Sequence, residues 1–397
     1  MYLSATPMNN HHTEIVDLLN MLLPPPHNKI RKSDLFVEPS YAELRPGALD
    51  LIGKLTAGRV SFLQDQDPRY YPQQLWEGEK LPGVDILKFV RCPMSEFHYN
   101  TYKQVYNGTL SQESLYLVDF ALPNPSGSIG MYQTSQIVHE LEKASEEWKE
   151  KNGLYWQNGM LTGSMLMRQN IGKYSSKYAK LLDIVTSIVK RGGEKAFIYH
   201  DAVHVSGVLF IQELLKYNGF IDESSASSAD TLCVVCGNPK KMHLYTSEEQ
   251  AKLATENEEV QLTNLVQVLE SIEHDGGGKS ASGKIKNHTF VAARFMIAHS
   301  DMDKALLSRN MEKYNSPENM HGHYILFIVG SQLMRESHDM KHLRHEIVVY
   351  LSGGLPALVQ IFGRGVRNSS HRGAPANEWN VKRYIIVTSL PAGVKGF

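Results

Sequence analysis

Two arginines three residues apart, Arg364 and Arg367, follow Gln360 and Gly363 within the stretch 359–371. If that stretch is helical the arginines share a face, and the glutamine one turn upstream joins them. Guanidinium groups grip phosphate oxygens in planar, bidentate fashion and stay charged at any working pH, so such a fork suits a transferring γ-phosphoryl group. A solvated basic helix end has the same spacing, and Arg-x-x-Arg alone favours that plainer reading. A second constellation is the Cys-x-x-Cys-Gly knuckle of Cys233, Cys236 and Gly237, with His243 following. Structural zinc takes four ligands, so two cysteines and His243 leave a place for His288 or His274. A redox pair or two incidental buried thiols are the alternatives. Gly278 to Lys284 has the glycine and lysine spacing of a P-loop, but Ile285 stands where the metal-binding hydroxyl belongs, and no apolar strand precedes it. It reads as part of an excursion, polar and then glycine-rich, over 246–286.

The surrounding pattern is that of a parallel sheet covered by helices. An amphipathic stretch at 176–189 ends at Gly192-Gly193, a short apolar strand follows at 195–200, and a helix is expected over 209–217. After an insertion at 222–288, strands are expected at 293–300, 324–331, 346–351 and 382–388, with a helix at 303–314. Upstream, 11–23 has helical spacing and stops at three prolines. Candidate strands lie at 58–63 and 87–95, the latter followed by a tyrosine-containing helix at 96–102. The 397 residues suffice for two or three cores; 42% apolar and 21% charged content is globular, and a formal net charge of -1 leaves any nucleic-acid surface to be local. The three cysteines, Cys92, Cys233 and Cys236, cannot build a disulfide framework, which fits a reducing, intracellular compartment. No apolar run approaches a membrane span.

Gln-x-x-Gly-Arg-x-x-Arg at 360–367 resembles motif VI of superfamily 2 helicases, and Leu3-Ser4-Ala5-Thr6-Pro7 resembles their motif III. Gly330-Ser331 followed by Glu336-Ser337-His338-Asp339 resembles motif V, with Ser337 where many relatives have glycine. Gly-Arg-Val-Ser-Phe at 58–62 and Cys-Pro-Met-Ser at 92–95 are similar to the helicases of large DNA viruses, a group that includes the small subunit of the poxvirus early transcription factor. The resemblance implies an α/β fold: the end of a first RecA-like domain over 1–29, a middle region over 30–165, and a second RecA-like domain over 166–397. It also implies ATP and Mg²⁺ as cofactors, with Arg364, Arg367 and Gln360 acting at the phosphoryl group and Gly363 and Asp339 beside the nucleotide. Ser4, Thr6, Ser331 and Glu336 would contact nucleic acid or couple it to the ATP site. A similar cysteine and histidine insertion in the viral relatives supports structural Zn²⁺ on Cys233, Cys236, His243 and His288. DNA or RNA, a separate ATP-binding half and the viral RNA polymerase are the partners implied, in a viral factory of the host cytoplasm or in the virion. No P-loop or Walker B box precedes Ser4, so both ends are expected to be clipped and the chain alone to be inactive. The alternative is a non-catalytic RecA-like module that binds nucleic acid or a polymerase.

Overall fold

The computed structural model describes residues 12–24, 29–60, 68–106, 113–127, 129–243, 288–335, 338–351, 354–391 and 393–394. Its strands are β1 (Gln73–Trp76), β2 (Glu79–Leu81), β3 (Val84–Pro93), β4 (Tyr155–Gln157), β5 (Met160–Thr162), β6 (Lys195–His200), β7 (Ile221–Asp222), β8 (Arg294–Ala298), β9 (Phe327–Gly330), β10 (Leu343–Tyr350) and β11 (Asn380–Ser389). All but β4 and β5 join one sheet in the order β2-β3-β11-β10-β6-β9-β8-β7, with β1 beside the amino half of β11. Within this sheet every described pair is parallel except β2–β3, while the separate β4–β5 pair is antiparallel. The mixed α/β architecture with a mostly parallel sheet is therefore as the apolar runs indicate, and it is consistent with a RecA-like helicase fold.

The reason lies in the pleat. Every residue of β6 and β9 is buried. Successive side chains of a strand point to opposite faces, so a strand sandwiched between helices is apolar throughout. Ala196 and Ile198 enter one core with Leu181, Val185 and Leu214; Phe197 and Tyr199 enter a second with Leu307, Tyr314 and Ile361. Helices Ser176–Lys190 and Val208–Lys216 cover the first face, and Lys304–Asn315 and Leu355–Phe362 the second. Ser175, accepting from the Tyr178 amide, and Asp303, accepting from the Leu306 amide, cap two of these helices. A smaller core of Val16, Leu19, Leu35, Phe36 and Ala48 gathers the amino-terminal helices, including Ile15–Leu22 within the expected 11–23.

Three expectations change. Gly58 and Arg59 lie in a turn, and 61–67 falls outside the described residues. The expected strand 324–331 shortens to β9, because Asn319 takes over the preceding backbone: its Oδ1 accepts from the Tyr324 and Ile325 amides, and its Nδ2 donates to the Tyr314 and Ile325 carbonyls. The helix carrying Gln360 ends at Phe362, before either arginine. The cause is Gly365, where a Cβ would lie 2.6 Å from Leu343 Cδ2 and 3.1 Å from Glu346 Oε1, so the chain turns tightly against β10. Among the described residues no helix is long and apolar enough to cross a membrane.

Candidate functional site

The turn after Leu355–Phe362 carries both arginines at the amino edge of the sheet, where β10 and β11 begin. Arg364 Nε donates to the Gln360 carbonyl at 3.2 Å and its Nη1 to the His338 carbonyl at 3.5 Å. Arg367 Nε donates to the Gly363 carbonyl at 3.4 Å, and its Nη1 pairs with the Asp339 carboxylate. Helix carboxyl ends leave carbonyls without intrahelical partners, and these guanidinium groups satisfy two such carbonyls from within one turn. Arg364, Arg367, Gly363 and Asp339 are thus brought together. Gln360 shares the turn through its carbonyl, but it is buried, so it does not form an exposed fork with Arg367, whose side chain is 42% exposed.

A buried ion pair underlies the turn, and it was not singled out from the sequence. Glu346 Oε1 accepts from the Gly365 amide at 3.1 Å; its Oε2 accepts from Arg383 Nε at 3.1 Å. Arg383 also donates to the Phe362 carbonyl at 2.7 Å and to Gln74, and lies over the rings of Phe362 and Trp76. Burial pushes the Glu346 carboxyl up to about 7, with Arg383 and the Gly365 amide pulling the other way. The signal was present: a glutamate opening an apolar strand, and an arginine inside another, need each other when the sheet is covered.

Ser331 stands at the opposite, carboxyl edge, immediately after β9. It is buried, and its amide donates to the Ala298 carbonyl at 3.0 Å. Nearby, Arg335 donates to the Tyr199 hydroxyl at 2.6 Å and to Asp201 Oδ1 at 2.5 Å. Beneath the same edge Asp119, Lys177 and His200 form a second buried network. Lys177 Nζ lies 2.7 Å from Asp119 Oδ1, and His200 Nε2 3.2 Å from Asp119 Oδ2. The Ala202 amide donates to His200 Nδ1, which leaves Nε2 as the donor to Asp119. Burial pushes Asp119 up, but Lys177 and His200 outweigh it and hold the carboxyl at about 2. Ser4, Thr6, Glu336 and the Lys284 loop lie outside the described residues.

The four expected metal ligands converge. Cys233 Sγ is 3.5 Å from His288 Nε2, Cys236 Sγ is 3.4 Å from His243 Nε2, and the two Nε2 atoms are 3.2 Å apart. All four ligand atoms lie within 4.8 Å of one another. Tetrahedral zinc, with bonds of about 2.3 Å to sulfur and about 2.0 Å to nitrogen, separates its ligands by roughly 3.3–3.8 Å, so the residues fit that ion. Gly237, at φ +76°, donates its amide to the Cys233 carbonyl and closes the knuckle, while His243 Nδ1 meets the Pro239 carbonyl at 3.2 Å and aims Nε2 inward. The Cys236 hydrogen bond draws the Cys233 thiol well below its ordinary range.

No family model matches the chain. It is 29% identical over 422 residues, covering 99% of its length, to the early transcription factor large subunit homolog of African swine fever virus. It is also 23% identical over 436 residues, 97% of its length, to a protein of Acanthamoeba polyphaga mimivirus named as an ATP-dependent RNA helicase. Along nearly all its length the chain is similar to helicase-like proteins of large DNA viruses. A further relative, 22% identical over 94% of the chain, is a protein of Frog virus 3 named as a helicase. The African swine fever virus relatives bear the name of the large subunit, not of the small one whose group the motifs resemble. The chain spans about a third of the length of the relatives it matches (34%, 35% and 30%).

Proposed function

We propose that this chain supplies the arginine-bearing RecA-like domain of an ATP-dependent nucleic-acid helicase or translocase of the superfamily 2 kind, serving viral transcription. The observation that carries the reading is the turn at 363–367. Two guanidinium groups project from a tight bend pinned by Glu346, on a sheet of the appropriate kind, in a chain aligned along nearly all its length with proteins named as helicases and transcription factors. Within the 397 residues no P-loop with its hydroxyl is present, so the ATP and Mg²⁺ site must be completed by another segment or chain.

In this reading Arg364 and Arg367 exchange their carbonyl and Asp339 partners for the oxygens of the γ-phosphoryl group. Held at a cleft that excludes water, they neutralise charge developing in the transition state. Gln360 and Gly363 set the turn, and Asp339 holds Arg367 until nucleotide arrives. Ser331 acts at the opposite edge, on the strand side. Cys233, Cys236, His243 and His288 hold structural Zn²⁺, which fixes the knuckle and has no part in the reaction.

The test combines the chain with an ATP-binding half and measures nucleic-acid-stimulated ATP hydrolysis. Arg367→Ala is expected to lower turnover by roughly a thousandfold or more while ATP affinity changes less, and lysine to rescue poorly. A mixture that hydrolyses ATP equally well with both arginines changed to alanine refutes the catalytic role, leaving a non-catalytic binding module.

A further inference from the structure

Helix Glu96–Val105 stands on the carboxyl edge of the sheet, the edge that also bears Ser331. The Met94 amide before it donates to the Ser389 carbonyl at 2.9 Å, and its cap Ser95 donates to the Lys173 carbonyl. One side is spent on the core, since His98 and Thr101 are buried and His98 Nε2 meets the Leu117 carbonyl at 2.6 Å. The other side presents Tyr99, Tyr102, Lys103 and, just past the end, Tyr106, spaced at three and four residues and so on one face. The Tyr102 and Tyr106 rings lie parallel, 4.9 Å apart at 15°. Lys103 Nζ is 5.6 Å from the Tyr99 ring, and at the foot of the helix Lys173 Nζ is 5.3 Å from the Tyr174 ring. Neither ammonium is ion-paired with a carboxylate among the described residues.

We propose that this face is a stacking platform for single-stranded nucleic acid, a site separate from the arginine turn. The stacked Tyr102–Tyr106 pair offers its outer π faces to unpaired bases, and the ammonium groups of Lys103 and Lys173, set over the neighbouring Tyr99 and Tyr174 rings, match the phosphates that link those bases. An apolar protein anchor would call for a greasy floor with charge excluded from its centre, and here lysines lie among the rings. The proposal rests on the reading that the chain binds nucleic acid. It adds where an unpaired strand lies: across the carboxyl edge, with its bases on the tyrosines and its backbone on Lys103 and Lys173.

Fluorescence anisotropy of the full chain with labelled oligothymidine and oligouridine tests it. Each ring removed by Tyr102→Ala or Tyr106→Ala is expected to weaken binding by about fivefold to 150-fold, the worth of one stacked base, while Tyr→Phe at the same positions retains affinity. Lys103→Ala should reduce the salt slope by about 0.7, the share of one phosphate contact on a single strand. Thermal melting of each variant checks that the fold is kept, and the phenylalanine variants isolate the ring from the hydroxyl. If wild type binds and the alanine variants bind equally, the platform is overturned and the nucleic-acid reading stands. If wild type binds neither oligonucleotide, both fall. A parallel loss for polyglutamate, which has charge without bases, would assign the face to acidic peptides and overturn the proposal.

Discussion

Replacing Lys177 by methionine removes one member of the Asp119, Lys177 and His200 network and leaves an unbranched apolar side chain one atom shorter. Asp119 and Lys177 have side-chain exposures of 1% and 4%, so water cannot take over for the missing ammonium. Removing one partner of a buried pair costs about 3–5 kcal/mol, because the carboxylate left behind retains only the His200 bond. At about 2–4 °C per kcal/mol for a chain section of this size, the melting temperature should fall by roughly 6–20 °C. The pH dependence gives a second reading. Asp119 is held at about 2, below its ordinary 3.8, so its contribution is fully present above the unfolded value and is lost as pH falls through the folded one. Its size is on the order of 2–3 kcal/mol. Circular dichroism melts from pH 2 to 7 should show that acid limb in wild type and its loss in Lys177→Met. The double variant Asp119→Asn with Lys177→Met should recover most of the stability. A single variant that melts within about 1 kcal/mol of wild type at pH 7 would refute the argument, since a buried unpaired carboxylate cannot be that cheap.

Purified chain prepared under reducing conditions is expected to carry about one equivalent of zinc, and Cys236→Ser to lose most of it; metal analysis finding none refutes the site. Gly365→Ala should destabilise the arginine turn by about 1–3 kcal/mol through overpacking against Leu343, measurable by urea unfolding. Because burial lifts Glu346 to about 7, the folded state holds its proton more tightly than the unfolded chain, and this group alone makes stability fall as pH rises through about 5 to 7; Glu346→Gln should flatten that decline. Isolated chain with ATP, Mg²⁺ and single-stranded DNA should hydrolyse no faster than background, and turnover abolished by changing Lys284 would instead promote the glycine and lysine loop.

The central strands and their helices were legible because period and burial coincide: β6 and β9 are buried throughout, and the helices expected at 176–189 and 303–314 bury one apolar face each. The metal group was legible because Cys-x-x-Cys-Gly dictates a local turn. The end of the helix before Arg364 was not, since spacing alone extends it through Arg367. What stops it is Gly365 meeting Leu343 and Glu346 from a strand distant in sequence. Lys177 and Asp119 were hidden for the same reason: the lysine sits in an amphipathic helix and looks solvated until the fold brings Asp119 to it.

His243 and His288 stand on either side of the 244–287 stretch, yet their Nε2 atoms are 3.2 Å apart. A bound metal would therefore tie the knuckle at 233–243 to the chain just before β8, two segments far apart in sequence, through one ion. Chelation should then loosen both segments together, as faster hydrogen exchange at the knuckle and at the approach to β8, while the arginine turn and the carboxyl edge keep their protection.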